Sequence, residues 1–292
     1  MYMTTVSRFV VSSAVEQMHA AIRRDGALII ESVLSQAEVA DLNQRFQSAL
    51  DEEKRLQQGR GDLGGYMPST MVFATNLPAR FPEIARHFSH PLILELVTAA
   101  LGTDLPEITI NTTQVMESWP GNPAQPLHRD DVTWPLPAPR PELTVVTLWA
   151  LQNFTAEAGG TNVIPGSHLW QDARLTPQYD ADGHPAYKCD PRPDELQRIE
   201  MEPGSVLVFL GSLVHGGGNN TSDRVRRFMH IGYCHSWLRQ VENQYATLSR
   251  EQVLSFPPVV QRLLGFGIYR FELGHTYNVS PIEYYQRELM KP

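Results

Sequence analysis

Two stretches far apart in the chain have to meet before either makes chemical sense, and that requirement limits what the chain can fold into. NPAQPLHRDDVTWP (122–135) carries His128 and Asp130 on either side of Arg129, and LGSLVHGGGNNTSDRVRR (210–227) carries His215, followed by Arg226 and Arg227. On an extended strand successive side chains alternate between faces, so His128 and Asp130 share one face while Arg129 and Asp131 take the other. A bulge at this point would put Asp131 in the place of Asp130. His215 follows the apolar run SVLVFLGSLV (205–214) and precedes a glycine-rich turn, and Arg226 opens an expected return strand, RRFMHIGYCH (226–235).

Two imidazoles and one carboxylate on one face of an ion leave coordination positions open. This is the donor set of non-haem Fe(II) centres, where cosubstrate oxygens and dioxygen bind in the open positions. A His-x-Asp triplet alone is a weak signal, because both residue types are common in solvated loops; the third donor beside a separate strand gives it weight. The run Gly216-Gly217-Gly218-Asn219-Asn220 lacks the lysine and the following helix of a phosphate-binding loop, and reads as a tight turn.

From about residue 105 the period is that of strands. EITINTTQVMES, LTVVTLWALQNF, TNVIPGS, SVLVFLGS and RRFMHIGYCHSW are separated by Gly, Pro and Asn, the pattern of an antiparallel barrel or jelly roll. The expected fold class is therefore mainly β with flanking helices, on a double-stranded β-helix core. Before residue 105 the chain reads mostly as helix. Val15, Met18 and Ile22 mark a helix over 13–24, and Val39, Leu42, Phe46 and Leu50 mark one over 35–55 that starts at a Ser35/Glu38 capping box. Shorter helices are expected at 82–88 and 91–101, the latter closed by Gly102, and GALIIE (26–31) is a buried strand. Residues 57–79 read as an irregular glycine-rich loop, a pocket cover or ordinary packing, and 171–200 as a long insertion. After 248 helices return over LSREQVLSF and PPVVQRLLG, and the chain ends in a polar tail. One domain is expected, with a helical part over about 1–104, a β core over about 105–240 and a helical part over about 241–292.

A formal charge of −8 argues against a nucleic-acid surface. Cys189 and Cys234 stand in no metal-binding or paired spacing and read as reduced thiols. No stretch approaches the roughly eighteen apolar residues of a membrane span, and the N-terminus lacks the pattern of a secretion signal, so a cytoplasmic protein is expected. The sequence carries no sign of an oligomeric state.

Over most of its length the chain resembles the phytanoyl-CoA dioxygenase family of Fe(II)/2-oxoglutarate-dependent oxygenases. The resemblance rests on the ligand motifs together with DGALIIESVLS (25–35), FTAEAGGTNVIPGSHLW (154–170), MEPGSVLVF (201–209) and WLRQVENQY (237–245). AQPLHRDD is similar to members that oxidise fungal alkaloids and meroterpenoids, whereas WLRQVENQY and VVQRLLGFG (259–267) look more like bacterial members. The resemblance implies Fe(II) on His128, Asp130 and His215, with 2-oxoglutarate chelating the metal and dioxygen as oxidant. Arg226 would hold the distal carboxylate of 2-oxoglutarate through a two-pronged hydrogen bond, a task suited to a planar guanidinium; a register shift would hand it to Arg227. Gln125 and Thr161 occupy positions that hold the cosubstrate in the alkaloid-oxidising members. His168 matches a residue near the site that is not a ligand and reads as structural. His230, in phase with Arg226 and Phe228, either faces the pocket or is a satisfied core residue.

The expected reaction is hydroxylation, with desaturation or ring rearrangement as variants, on an apolar small molecule of secondary metabolism; Met71, Phe73, Trp134 and Trp149 are candidate pocket walls. Halogenating relatives carry a small residue where this chain has Asp130, which argues against halogenation. Two other classes fit parts of the pattern, a zinc-dependent hydrolase, which has no use for Arg226, and a non-catalytic jelly-roll binding protein.

Overall fold

Side-chain alternation decides which residues of this chain face the helices and which face the site. The computed structural model describes residues 5–58, 68–137, 139–170, 176–179, 185–188, 192 and 194–289. Cys189, His184 and the Tyr66–Met67 part of the glycine-rich loop lie outside them. The strands are β1 (Ser7–Val10), β2 (Ala27–Glu31), β3 (Met71–Thr75), β4 (Ile108–Ser118), β5 (Thr144–Ala150), β6 (Asn162–Val163), β7 (Thr176–Tyr179), β8 (Pro185–Lys188), β9 (Gln197–Arg198), β10 (Val206–Leu210), β11 (His215–Gly216) and β12 (Arg226–His235). A major sheet runs β1-β2-β10-β5-β12-β4-β3, a minor one runs β11-β6-β9, and β7 pairs with β8 inside the expected insertion. All pairs in the major sheet are antiparallel except β1 with β2.

The outer face of the major sheet is covered by α1 (Val15–Asp25), α2 (Gln36–Gln58) and the helix Pro91–Leu101. Leu28, Ile30, Val206, Val208, Met229, Ile231 and Tyr233 face outward into one core with Met18, Ile22, Leu42 and Phe46 of the helices. Each such fully buried side chain contributes about 1.5–3 kcal/mol. Their sequence neighbours Ala27, Ile29, Leu207, Phe209 and Phe228 face inward, forming a second core with Phe154, Val163 and Met201 from the minor-sheet side. The site lies between the two sheets.

Helix ends follow the sequence closely. At the start of α2 the Ser35 amide and hydroxyl both donate to Glu38 Oε2 at 2.9 Å, and the Glu38 amide donates back to Ser35 Oγ at 3.3 Å. Gly102 takes the left-handed conformation (φ 64°) that closes the preceding helix. Arg227 then fixes α2 to the sheet. Its Nε donates to Glu117 Oε1 at 2.8 Å, Nη1 to Asn43 Oδ1 at 3.0 Å and Nη2 to Gln47 Oε1 at 2.7 Å.

Four expectations need correction. Residues 71–75, expected within an irregular loop, form β3 on the free edge of β4, where five residues suffice once a partner strand supplies the hydrogen bonds. Ser7–Val10, unassigned from sequence, add β1 to the opposite edge. The polar tail contains a helix, Pro281–Leu289, whose Glu283 amide donates to Ser280 Oγ at 3.1 Å. TNVIPGS contributes only the two-residue β6, and Ser167–Leu169 turn as a 3-10 helix.

Burial pushes the Glu142 carboxyl, which accepts the Ser212 hydroxyl and amide, up to about 7 from 4.5. The folded state therefore binds this proton more tightly than the unfolded chain. Its stabilising contribution is complete below about 4.5 and is lost as the pH rises through about 7. Because Glu142 keeps part of its surface in solvent, about 1–2 kcal/mol is expected after screening. Glu142→Gln should raise the thermal midpoint at pH 8 and change it little at pH 4.5, read by calorimetry across that range. Arg227→Met should cost about 3–5 kcal/mol in urea unfolding, because it leaves the Glu117 carboxylate buried without its partner.

Candidate active site

A reciprocal backbone pair sets the site. The His128 amide donates to the His215 carbonyl at 2.8 Å and the His215 amide donates to the His128 carbonyl at 2.9 Å, placing the two residues directly opposite each other. Their rings lie 4.4 Å apart. Each Nδ1 faces a carbonyl on its own segment, Pro126 O at 2.9 Å for His128 and Leu213 O at 3.1 Å for His215. A carbonyl can only accept, so both Nδ1 atoms carry the proton and both Nε2 lone pairs point to the shared space.

Asp130 completes the cluster. Its Oδ1 is 3.7 Å from His128 Nε2 and its Oδ2 is 3.7 Å from His215 Nε2. One donor atom from each of the three residues lies within 4.8 Å of the others, the only such group of three among the described residues. The local backbone differs from the expected strand. Arg129 is extended (φ −121°, ψ 141°), but Asp130–Thr133 turn as a 3-10 helix. The Asp130 and Asp131 amides both donate to the Gly211 carbonyl, at 2.9 and 3.3 Å. Gly211 is close-packed here: a Cβ would sit 2.1 Å from Thr144 Cγ2. One extended residue is enough to preserve the alternation, so Asp131 turns away and pairs with Arg140 Nη2 at 2.6 Å, and Arg129 Nη2 donates to Ser167 O at 2.7 Å.

The cluster opens into a cavity of about 330 Å³ between the sheets, whose lining includes Met71, Gln125, Leu148, Thr161, Arg226 and Phe228. β12 decides between the two arginines: Arg226 faces the cavity and Arg227 faces α2. Arg226 is only 1 % exposed, and Phe154 and Phe228 lie 4.7 and 5.0 Å from its guanidinium carbon. Its Nε and Nη1 are buried with no partner among the described residues, and burial lowers its pKa to about 9. A buried cation without a counter-charge is costly, and an anionic group of a ligand is the natural complement. Gln125 Oε1 accepts the Gly217 amide at 2.8 Å. Burial and the neighbouring His215 ring lower the His128 pKa to about 4, so His128 is neutral and able to bind a metal at physiological pH.

Other expectations sort differently. Met71 lines the cavity and Phe73 packs beside it. Trp149 does not. It lies on the outer face, donates Nε1–H to Thr147 Oγ1 at 3.0 Å and meets the rings of His87 and His90 edge-on. Trp134 packs with Leu143, Cys234 and Leu238, away from the cavity. His168 bonds the Arg23 carbonyl through Nε2 at 3.0 Å, a structural role. Thr112 and Gln114, absent from the sequence-based site, line the cavity through alternate inward positions of β4, and Asn111 reaches it at the register shift opposite Gly232 and Tyr233.

Residues 22–228 match the model of the family described as phytanoyl-CoA dioxygenase (PhyH). The chain is 35% identical over 250 residues to dioxygenase aneA of Aspergillus aculeatus, covering 83% of this chain and 80% of that protein. It is 31% identical to dioxygenase trt7 of Aspergillus terreus, covering 84% and 82% of the two chains. The fold is similar to that of the epimerase SnoN, crystallised with Fe3+, alpha ketoglutarate and nogalamycin RO (TM-score 0.56, 21% identity, 76% of this chain and 84% of that one). EvdO2 from Micromonospora carbonacea shares it too (TM-score 0.61, 17% identity, 80% and 95% covered).

Removing the unpaired charge should stabilise the ligand-free protein. Arg226→Met, of similar volume, is expected to gain about 1–4 kcal/mol in denaturant unfolding without added ligand. A loss of stability would mean that Arg226 already has an anionic partner within the protein.

Proposed function

This chain belongs to the phytanoyl-CoA dioxygenase (PhyH) family of iron- and 2-oxoglutarate-dependent oxygenases, and we propose that His128, Asp130 and His215 hold the iron while Arg226 holds the far carboxylate of 2-oxoglutarate. The observation that carries the reading is the unpaired, buried Arg226 in the same cavity as the three converging donors. When bound, iron and 2-oxoglutarate supply the oxidising chemistry: 2-oxoglutarate and dioxygen are converted to succinate and carbon dioxide while the substrate is oxidised. The protein's own residues bind, orient and exclude water.

Pro126 and Leu213 carbonyls hold the two imidazoles in the tautomer that offers Nε2 to the metal, and Asp130 adds the negative donor. The guanidinium of Arg226 matches a carboxylate in a planar fork, and the flanking Phe154 and Phe228 rings keep water from that pair. Gln125, its oxygen fixed by the Gly217 amide, keeps its NH2 group as a donor, and Thr161 lines the same cavity; both fit contacts to 2-oxoglutarate. Met71, Met116, Leu148 and Phe228 offer an apolar wall for a carbon skeleton. The substrate is a small molecule of secondary metabolism, hydroxylated or, where the skeleton is held differently, desaturated or rearranged. One catalytic domain carries the whole site. A zinc-dependent hydrolase would leave the cost of burying Arg226 without a purpose.

Succinate release with Fe(II), 2-oxoglutarate and oxygen, over a panel of terpenoid, alkaloid and fatty-acyl compounds, tests the reading. Stimulation by one compound together with a gain of one oxygen in that compound is the expected result. His128→Ala and Asp130→Ala should abolish it. Arg226→Met should raise the KM for 2-oxoglutarate about 100-fold, the loss of a charge-assisted pair worth roughly 3 kcal/mol. No succinate above a no-enzyme control, in protein shown to hold iron, would count decisively against the assignment.

A further inference from the structure

The inner face of the major sheet changes character along its length. Successive inward rows across β4, β12 and β5 begin with Ser118 beside Arg226, continue with Met116, Phe228 and Ala150, then Gln114, His230 and Leu148, then Thr112, Gly232 and Val146. An ionic end gives way to an apolar band and then to a second polar band. His230 lies about 13 Å along the strand from Arg226, at ~3.3 Å per residue.

Two buried polar atoms of this second band have no partner among the described residues. Thr112 is 8 % exposed and its Oγ1 is buried and unpaired, and His230 Nδ1 is likewise buried and unpaired. Both residues line the cavity, as does Gln114, the direct cross-strand neighbour of His230. Burial lowers the His230 pKa to about 4, so its ring is neutral and offers one donor and one acceptor. Gly232 keeps the band open, since a Cβ there would stand 3.1 Å from Thr112 Cγ2. Unpaired polar atoms this deep are rare in folded proteins, and here they share one wall of a ligand-sized cavity.

We infer that the substrate carries a hydrogen-bonding oxygen, a hydroxyl or a carbonyl on an otherwise apolar ring system, and that His230, Gln114 and Thr112 bind this oxygen and so fix which carbon faces the metal cluster. The inference rests on the oxygenase reading above. It narrows the substrate class, because a site built to pair an oxygen leaves its own groups unsatisfied when a hydrocarbon occupies it.

Matched cyclic terpenoids test it: borneol and camphor against bornane, and cedrol against cedrane. Binding is measured by calorimetry to the anaerobic protein loaded with Fe(II) and 2-oxoglutarate. Oxygenated members are expected to bind at least about tenfold more tightly than their parents, the worth of one well-placed hydrogen bond. His230→Phe and, separately, Gln114→Leu should each shrink that ratio to less than about threefold, by weakening the oxygenated ligand and not the hydrocarbon. A structural role for either residue would weaken both ligands together and leave the ratio intact. Equal binding within the pairs, a ratio unchanged in both variants, or no binding by any oxygenated member to protein that takes up 2-oxoglutarate would overturn the inference and leave the oxygenase assignment standing. Failure to take up 2-oxoglutarate would remove both.

Discussion

The pairing of the two imidazoles depends on two backbone hydrogen bonds, those exchanged between His128 and His215. They join a segment that belongs to neither sheet to the first residue of β11, and so fix the separation of two imidazoles that are far apart in sequence. Because the pairing is made by backbone atoms, it leaves both imidazole rings turned toward the shared space. Asp130 enters by a separate route, the bifurcated acceptance of its own amide and that of Asp131 by the Gly211 carbonyl. The packing of Gly211 against Thr144 ties this turn to β5, so the carboxylate is located by the major sheet and the imidazoles by the minor one. The cluster spans the gap between the layers.

Adjacent arginines on β12 show how strand geometry gives opposite uses to like residues. Arg227 is buried and fully engaged, its charge opposed by Glu117 and its other nitrogens held by α2. Arg226, one residue earlier and on the other face, has two rings beside it and, among the described residues, no anion. The first interaction holds the helical layer in place; the second leaves an electrostatic demand facing the cavity.

Much of this was legible in the sequence. The one-residue spacing in His-Arg-Asp and the in-phase order Arg226, Phe228, His230 are consequences of alternation, which survives as long as one extended residue separates the pair. That explains why the 3-10 turn at Asp130 did not disturb the face assignment. The start of α2 was equally plain, because Ser35 and Glu38 satisfy each other locally. What sequence could not supply were decisions taken by partners. β1 and β3 are short edge strands that exist because β2 and β4 offer them free hydrogen-bonding groups. β5 is buried on both faces, so no polar alternation marks the side Trp149 takes, and it turns toward the helices rather than the cavity. The cavity-facing Thr112 and Gln114 of β4 carry no polar alternation to mark them, since Thr113 and Glu117 are polar on the other face, and acquire meaning only once β12 is laid beside them.

The unpaired cation at Arg226 also links the protein's persistence to its surroundings. A ligand that binds only the folded state adds RT ln(1 + [L]/Kd) to stability, and a carboxylate docking on Arg226 would relieve a cost that the empty fold carries. Where such an anion is scarce, the chain would open more often and be cut more often by proteases. The amount of intact enzyme would then follow the supply of its small acidic ligand, so that abundance, and not only turnover, reports the metabolic state of the cell.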